Sequence, residues 1–225
     1  MRECVVRDLG RMGYREALAI QLQMASERKQ GAGVDHVLFV EHPHVITIGR
    51  NGHLENLLAS QDTLRRAGVE LYESDRGGDV TYHGPGQIVA YPVMDLREWK
   101  RDVGAFVRAI EQVLIDTLAD FGISAMRIPK LTGVWTLADG RESKIAAIGV
   151  HLSRWISTHG WALNVTTDLR YFQYIVPCGL AKPVTSMEAL GVRADVEQVK
   201  NILIRHFGQI FDFEMQAEPA LIGRS

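Results

Sequence analysis

The sequence predicts an α+β fold, mixed sheets with flanking helices. Short apolar runs of strand length recur along most of the chain, and amphipathic helical periods interrupt them only occasionally. The two kinds of segment do not alternate in the strict β-α-β manner of a doubly wound sheet. With 225 residues, 46% hydrophobic and 23% charged, the chain can bury a full core. No repeat, low-complexity run or linker rich in Pro, Gly or Ser divides it, so residues 1–225 are read as one domain.

The elements follow in order. Cys4 to Asp8 reads as a first strand. A helix from Tyr14 to Gln30 places Tyr14, Leu18, Leu22 and Ala25 on one stripe and stops at Gly31 and Gly33. Strands over 36–40 and 45–49 flank a turn at Pro43. A short helix from Asn56 to Ala67 ends at Gly68, and a strand follows over Val69 to Glu73. The glycine-rich run after it reads as a loop. Gln87 to Asp95 is a strand in which Pro92 marks an edge or a bulge, because proline has no ladder donor. Asp102 caps a helix whose apolar face is Val103, Phe106, Val107, Ile110, Leu114, Leu118 and Phe121, stopped by Gly122. Strands near Gly133–Leu137 and Ser143–Leu152 join across Asp139-Gly140, a hairpin dipeptide, and Gly160–Val165 completes a meander. A final helix from Asp195 to Phe207 precedes a strand around Phe211 to Met215.

Composition narrows the function classes. A net charge of −2 gives no global attraction to nucleic acid or an anionic membrane. No apolar run approaches the roughly 20 residues of a membrane span, and the start of the chain lacks the apolar core of a secretory signal. Two cysteines, Cys4 and Cys178, are too few for a disulfide framework and fit a reducing compartment. The expectation is a cytoplasmic protein, a monomer without nucleic-acid or membrane partners.

Three segments carry chemistry. Arg76-Gly77-Gly78-Asp79-Val80-Thr81-Tyr82-His83-Gly84-Pro85-Gly86-Gln87 combines glycines that allow close backbone approach with polar and aromatic side chains. It matches neither the Walker pattern nor the dinucleotide G-x-G-x-x-G spacing; a purely structural turn is the alternative. Cys178, between Pro177 and Gly179, is placed by one rigid and one permissive neighbour, as suits a projecting nucleophile; a small buried hydrophobe is the alternative. A thiol near its ordinary pKa of about 8.5 is mostly protonated at neutrality, and a nearby ammonium raises the thiolate fraction. Lys144 is the candidate, a charge at the head of the apolar run Ile145-Ala146-Ala147-Ile148, although a solvated hairpin residue would read the same. His42-Pro43-His44 has no partner at a metal-ligand spacing and reads as a turn with exposed imidazoles. His159 precedes a strand and is placed to line the same cleft. No metal or cofactor is expected.

These segments, with Tyr91, Lys144-Ile145-Ala146-Ala147-Ile148-Gly149, His159-Gly160-Trp161-Ala162-Leu163-Asn164 and Pro177-Cys178-Gly179, resemble the signature of the lipoyl(octanoyl) transferases. The resemblance covers roughly residues 36 to 190. It implies a catalytic-domain fold like that of biotin and lipoate protein ligases. It further implies transfer of octanoyl from acyl carrier protein to a lysine of lipoyl domains, those of 2-oxoacid dehydrogenase complexes and of the glycine cleavage H protein. By the same resemblance Cys178 carries the acyl thioester and Lys144 lowers its pKa. Arg76, Gly77, Gly78, Asp79, Val80, Thr81, Tyr82 and His83, with Ala147, Ile148 and Gly149 and with Gly160, Trp161 and Ala162, correspond to substrate-binding segments. Two other readings compete: an ATP-dependent lipoate or biotin ligase on the same scaffold, and a non-catalytic carrier-binding module. An acidic carrier would need a local basic patch, for which Arg50, Arg76, Arg127, Lys130, Arg154 and Lys182 are candidates.

Overall fold

A computed structural model describes residues 2–176 and 182–218. Eleven strands among them form two sheets. The large sheet is ordered β11-β1-β2-β6-β10-β9-β8-β7, where β1 is Arg2–Arg11, β2 Asp35–Glu41, β6 Gln87–Val93, β7 Ala125–Ile128, β8 Leu131–Ala138, β9 Arg141–Ser153, β10 Ile156–Asn164 and β11 Phe213–Ala217. Its first three strands are parallel and the rest antiparallel. The small sheet, β4-β3-β5, joins Glu70–Glu73, Val45–Ile48 and Val80–His83. The predicted mixed sheets with flanking helices are what the chain forms.

Helices α3 (Val103–Asp120) and α4 (Val196–Phe211) cover one face of the large sheet. Phe106, Ile110 and Leu114 of α3 and Leu203, Phe207 and Phe211 of α4 pack there on Ile88, Ala90, Trp161 and Leu163. Both helices start as the residues dictate: Asp102 accepts from Ala105 N–H at 2.8 Å, and Asp195 from Gln198 N–H at 3.3 Å. The last helix runs past Phe207 to Phe211, because its apolar period continues, and Asp212 closes it in the left-handed region. The final strand therefore begins at Phe213.

Helix α1 (Tyr14–Lys29) covers the opposite face. Its buried stripe is Tyr14, Ala17, Gln21, Ala25 and Arg28, while Leu22 is 49% exposed. The expected Leu18–Leu22 stripe is thus rotated. Two polar residues occupy buried positions because each has a partner: Gln21 Oε1 accepts from His159 N–H, and Arg28 Nε pairs with Asp35 at 3.1 Å.

Other expectations need correcting. The helix read as starting at Asn56 is a 3-10 turn at Leu54–Asn56 followed by α2 at Gln61–Arg66, because Ser60 provides the cap and accepts from Thr63 N–H. The supposed loop contains strand β5. Residues 125–128, not assigned, form edge strand β7. Asp139-Gly140 does make the β8–β9 turn, both residues having positive φ. Pro92 lies in the central strand β6 at a break: the β6–β10 register runs from Gln87–Asn164 to Ala90–Trp161 and stops. Pro92 O accepts from Ser157 Oγ at 2.7 Å, so its missing donor faces the broken ladder. No helix among the described residues is long and apolar enough to cross a membrane.

Candidate active site

The site begins with a buried arginine. Strand β4 ends at Glu73, and the chain turns through Ser74–Asp79 before β5. Arg76, only 7% exposed, folds back into this turn. Its Nε donates to Thr47 Oγ1 at 2.9 Å, and its terminal nitrogens donate to the carbonyls of Thr47, Gly77 and Asp79. The guanidinium thereby shapes the loop as a template. It cannot belong to a surface patch, which corrects its place among the docking candidates. The loop also lies so close to its neighbours that a Cβ on Gly49 would meet Gly78 O at 2.3 Å, and one on Gly149 would meet Gly77 O at 2.6 Å.

Strand alternation then divides the motif. Thr81 and His83 face a cavity, whereas Val80 and Tyr82 face the core of the small sheet with Ile46 and Leu64. Gly77 donates its N–H to Val150 O at 3.0 Å and holds the loop to β9. These three residues, Gly77, Val80 and Tyr82, do not line the cavity. The other eleven residues expected to bind substrate do line it: Arg76, Gly78, Asp79, Thr81, His83, Ala147, Ile148, Gly149, Gly160, Trp161 and Ala162. Its accessible volume is about 40 Å³, so it is a narrow cavity.

The same cavity is lined by His159 and Tyr91, and by two residues the sequence reading missed, Tyr14 and Val89. Tyr14 was assigned to a helical core stripe, and its hydroxyl gives no local signal. In the fold that hydroxyl reaches Ser74 Oγ at 2.8 Å and His159 Nδ1 at 3.4 Å. His159 has φ of +56°, unusual for a non-glycine, which turns its N–H to Gln21 Oε1 at 2.8 Å. Its Nε2 meets Asp75 Oδ1 at 2.7 Å, so β10 is tied to the turn that carries Arg76.

The imidazoles in and beside the cavity are uncharged near neutrality, while Arg76 and Asp79 also line it. Burial, reinforced by neighbouring His42, pushes His83 down to about 3. Burial likewise pushes His42 down to about 4 and lowers His159 against the pull of Asp75. Trp161 Nε1 is buried without a hydrogen-bond partner among the described residues, whereas the imidazoles of His42 and His83 have partners. His42 Nδ1–H donates to Met12 O at 2.7 Å, leaving Nε2 to accept from Tyr91 O–H at 2.7 Å. His83 Nδ1–H donates to Gln87 Oε1 at 2.8 Å. His42 is fully buried, not exposed as its turn sequence suggested, because β6 supplies this partner. Among the described residues no group of His, Cys, Asp and Glu could hold a metal ion.

Gly78, Asp79 and Ile148 also border a second, more polar cleft of about 530 Å³, which contains Lys144 and Lys130. Lys144 is 6% exposed, with Nζ 4.7 Å from the Trp135 ring centroid. It is therefore not a solvated hairpin residue. Asp79 accepts from His53 N–H at 3.0 Å and Asn56 Nδ2 at 2.5 Å. Asn56 O in turn accepts from Val176 N–H, and Leu57 bridges to Ile175. On the far side, Lys144 N–H donates to Pro183 O, and Lys144 O accepts from Thr185 N–H. Cys178 lies outside the described residues, with Pro177 and Gly179.

An apolar cavity opening on a lysine cleft, on this arrangement of sheets, defines a catalytic domain of the lipoate-ligase fold. A bipartite lipoate protein ligase of Thermoplasma acidophilum has a TM-score of 0.74 at 18% identity, covering 98% of this chain and 89% of that one. A lipoate-protein ligase A bound with ATP gives 0.74 at 19% identity, covering 98% and 90%. At such identities the likeness concerns the fold. The family model for the lipoyl protein ligase A/B catalytic domain matches residues 13–208. The octanoyltransferase of Solibacter usitatus (strain Ellin6076) is 67% identical over 215 residues, 96% of each chain. That of Koribacter versatilis (strain Ellin345) is 51% identical over 210 residues, 92% of this chain and 83% of that one. The chain belongs to the octanoyltransferases of the lipoyl protein ligase A/B family and is an enzyme, an acyltransferase.

Proposed function

We propose that the chain moves an octanoyl group from the thioester of acyl carrier protein to a lysine of lipoyl domains, through a thioester on Cys178. The observation that carries this reading is the junction of the two cavities. A mostly apolar cavity suited to an acyl chain shares Gly78, Asp79 and Ile148 with the cleft of Lys144. The described residues on either side of the Cys178 segment, Val176 and Pro183, are hydrogen-bonded at that cleft.

In the first step the Cys178 thiolate attacks the carrier thioester carbonyl; a new S–C bond forms, the carrier sulfur leaves, and Lys144 protonates it. In the second the amine of the lipoyl-domain lysine attacks. An amide forms, Cys178 leaves as thiolate, and neutral Lys144 takes the proton the amine loses. One thioester is exchanged for another before the downhill amide step, so no ATP is required. Lys144 is assigned the role of favouring the Cys178 thiolate, as an ammonium beside a thiol does, and the reaction belongs in a reducing compartment such as the cytoplasm.

Intact-mass measurement after incubation with octanoyl-carrier protein tests this reading. The wild type gains one octanoyl group and Cys178→Ala gains none; transfer by Cys178→Ala at a near-normal rate would overturn the covalent mechanism. Lys144→Met alkylates more slowly at Cys178 near neutrality than the wild type. Pyrophosphate exchange with ATP and lipoate, expected to be absent, separates the enzyme from the ligases that share its fold.

A further inference from the structure

The acyl cavity has a floor whose side chains can be placed by register. Ala162 of β10 pairs with Val89 of β6 on one side and with Ala147 of β9 on the other. The three lie in one row across the sheet and all line the cavity. The row is graded in size: two alanines, then a valine. Ile148, next to Ala147 on β9, borders the mouth shared with the Lys144 cleft. At the other end Val40 of β2 pairs with Val89, is 2% exposed and packs in the α1-side core without lining the cavity. The trench therefore runs from β9 to β6 and ends there.

Its length follows from strand spacing. Two inter-strand steps of about 4.8 Å span roughly 10 Å. An extended alkyl chain advances about 1.3 Å per carbon, since its tetrahedral zigzag uses C–C bonds of about 1.5 Å. Eight carbons fill such a trench. Beside Val89 on the same face stands Tyr91, which its bond to His42 holds in place.

We propose that the row Ala147–Ala162–Val89 measures the acyl chain, with Val89 as the stop that selects eight carbons. The assignment rests on the acyl-transfer reading above and adds the residues that set its chain-length preference.

The test binds free fatty acids from hexanoate to dodecanoate to the full chain by calorimetry, so it needs no transfer chemistry. Wild-type affinity peaks at octanoate. Val89→Ala moves the peak to decanoate; two further buried methylenes, at about fourfold each, change the decanoate-to-octanoate ratio about fifteenfold. Ala162→Val, which fills the middle of the row, moves the peak to hexanoate. Each ratio is taken within one preparation, so a loss of folded protein cancels. The proposal is overturned by wild-type affinity that climbs steadily with carbon number, by no binding, or by the same profile in all three proteins. Octanoyl loading of Cys178, read by intact mass on the same samples, reports separately on the acyl-transfer reading.

Discussion

At His83 the fold keeps an imidazole neutral by burying it beside His42 and Arg76. The consequence for stability has a definite sign. The folded values, about 3 for His83 and about 4 for His42, lie below the ordinary value near 6.5. Between those limits the unfolded chain binds protons that the folded chain refuses, so stability present above pH 6.5 is lost as the pH falls. From pH 6.5 to 4.5 the loss is on the order of 2 kcal/mol per histidine. Urea midpoints at pH 7 and 4.5 check this: the midpoint falls in acid, and His83→Gln shows the smaller fall. Equal falls in both proteins would place the acid sensitivity elsewhere. Residue identity announced polar groups in this motif. It did not announce that Arg76 serves the loop itself, because that depends on the hydroxyl and carbonyl of Thr47, 29 positions away.

Among the elements, the turn between β4 and β5 links the two cavities, and Asp79 is the link. Its carboxylate holds His53 and Asn56, and Asn56 O holds Val176. Replacing Asp79 with Asn leaves one acceptor oxygen for two donors and sets an amide NH2 against the other, a change that loosens the segment leading to Cys178 while leaving the cavity lined. The expected result is a 10- to 100-fold fall in the rate of acyl-enzyme formation with little change in KM, the range seen when supporting groups are lost. Asn56→Ala does the same, and the double variant is no slower than the worse single one, since both break one chain of contacts. Additive losses would show that the two act separately. The elements themselves were legible where local chemistry decides them: the caps at Asp102 and Asp195 and the Asp139-Gly140 hairpin. Helix α1 was misread in register, because its buried polar residues are explained only by Asp35 and by the turned His159 backbone.

For the whole molecule, a charge of −2 hides a local asymmetry. A groove of about 400 Å³ between α3 and β7–β8 is bordered by Arg108, Arg127 and Lys130 and shares Lys130, Leu131 and Thr132 with the Lys144 cleft. Arg127 is partly neutralised by Glu111 at 3.0 Å, and Lys182 by Glu142 at 2.5 Å. Arg108 and Lys130 are exposed. Under the proposed transfer from acyl carrier protein, attraction of an acidic carrier to this rim weakens as the Debye length falls from about 10 Å at 0.1 M salt to about 3 Å at 1 M. KM for the carrier rises with salt while kcat changes less, and Lys130→Glu raises KM severalfold at low salt. A KM flat across salt in the wild type removes electrostatic docking and leaves the acyl chemistry untouched.

The sequence by itself determined the fold class and the family, because periodicity, caps, turn dipeptides and the spaced motifs around Arg76, Lys144, His159 and Cys178 are all local patterns. It also pointed to thirteen of the fifteen residues that line the cavity, all but Tyr14 and Val89. The tertiary structure alone decided which motif residues face that cavity. Alternation along β5 sends Thr81 and His83 inward and Val80 and Tyr82 away, and the side of the strand that meets the cavity is set by its pairing with β3. Tyr14 and Val89 joined the site for the same reason. Cross-sheet register and helix docking bring together residues 60 to 145 positions apart, as in Tyr14 with Ser74 and with His159. No local pattern encodes such contacts; burial of both sheet faces at once selects them.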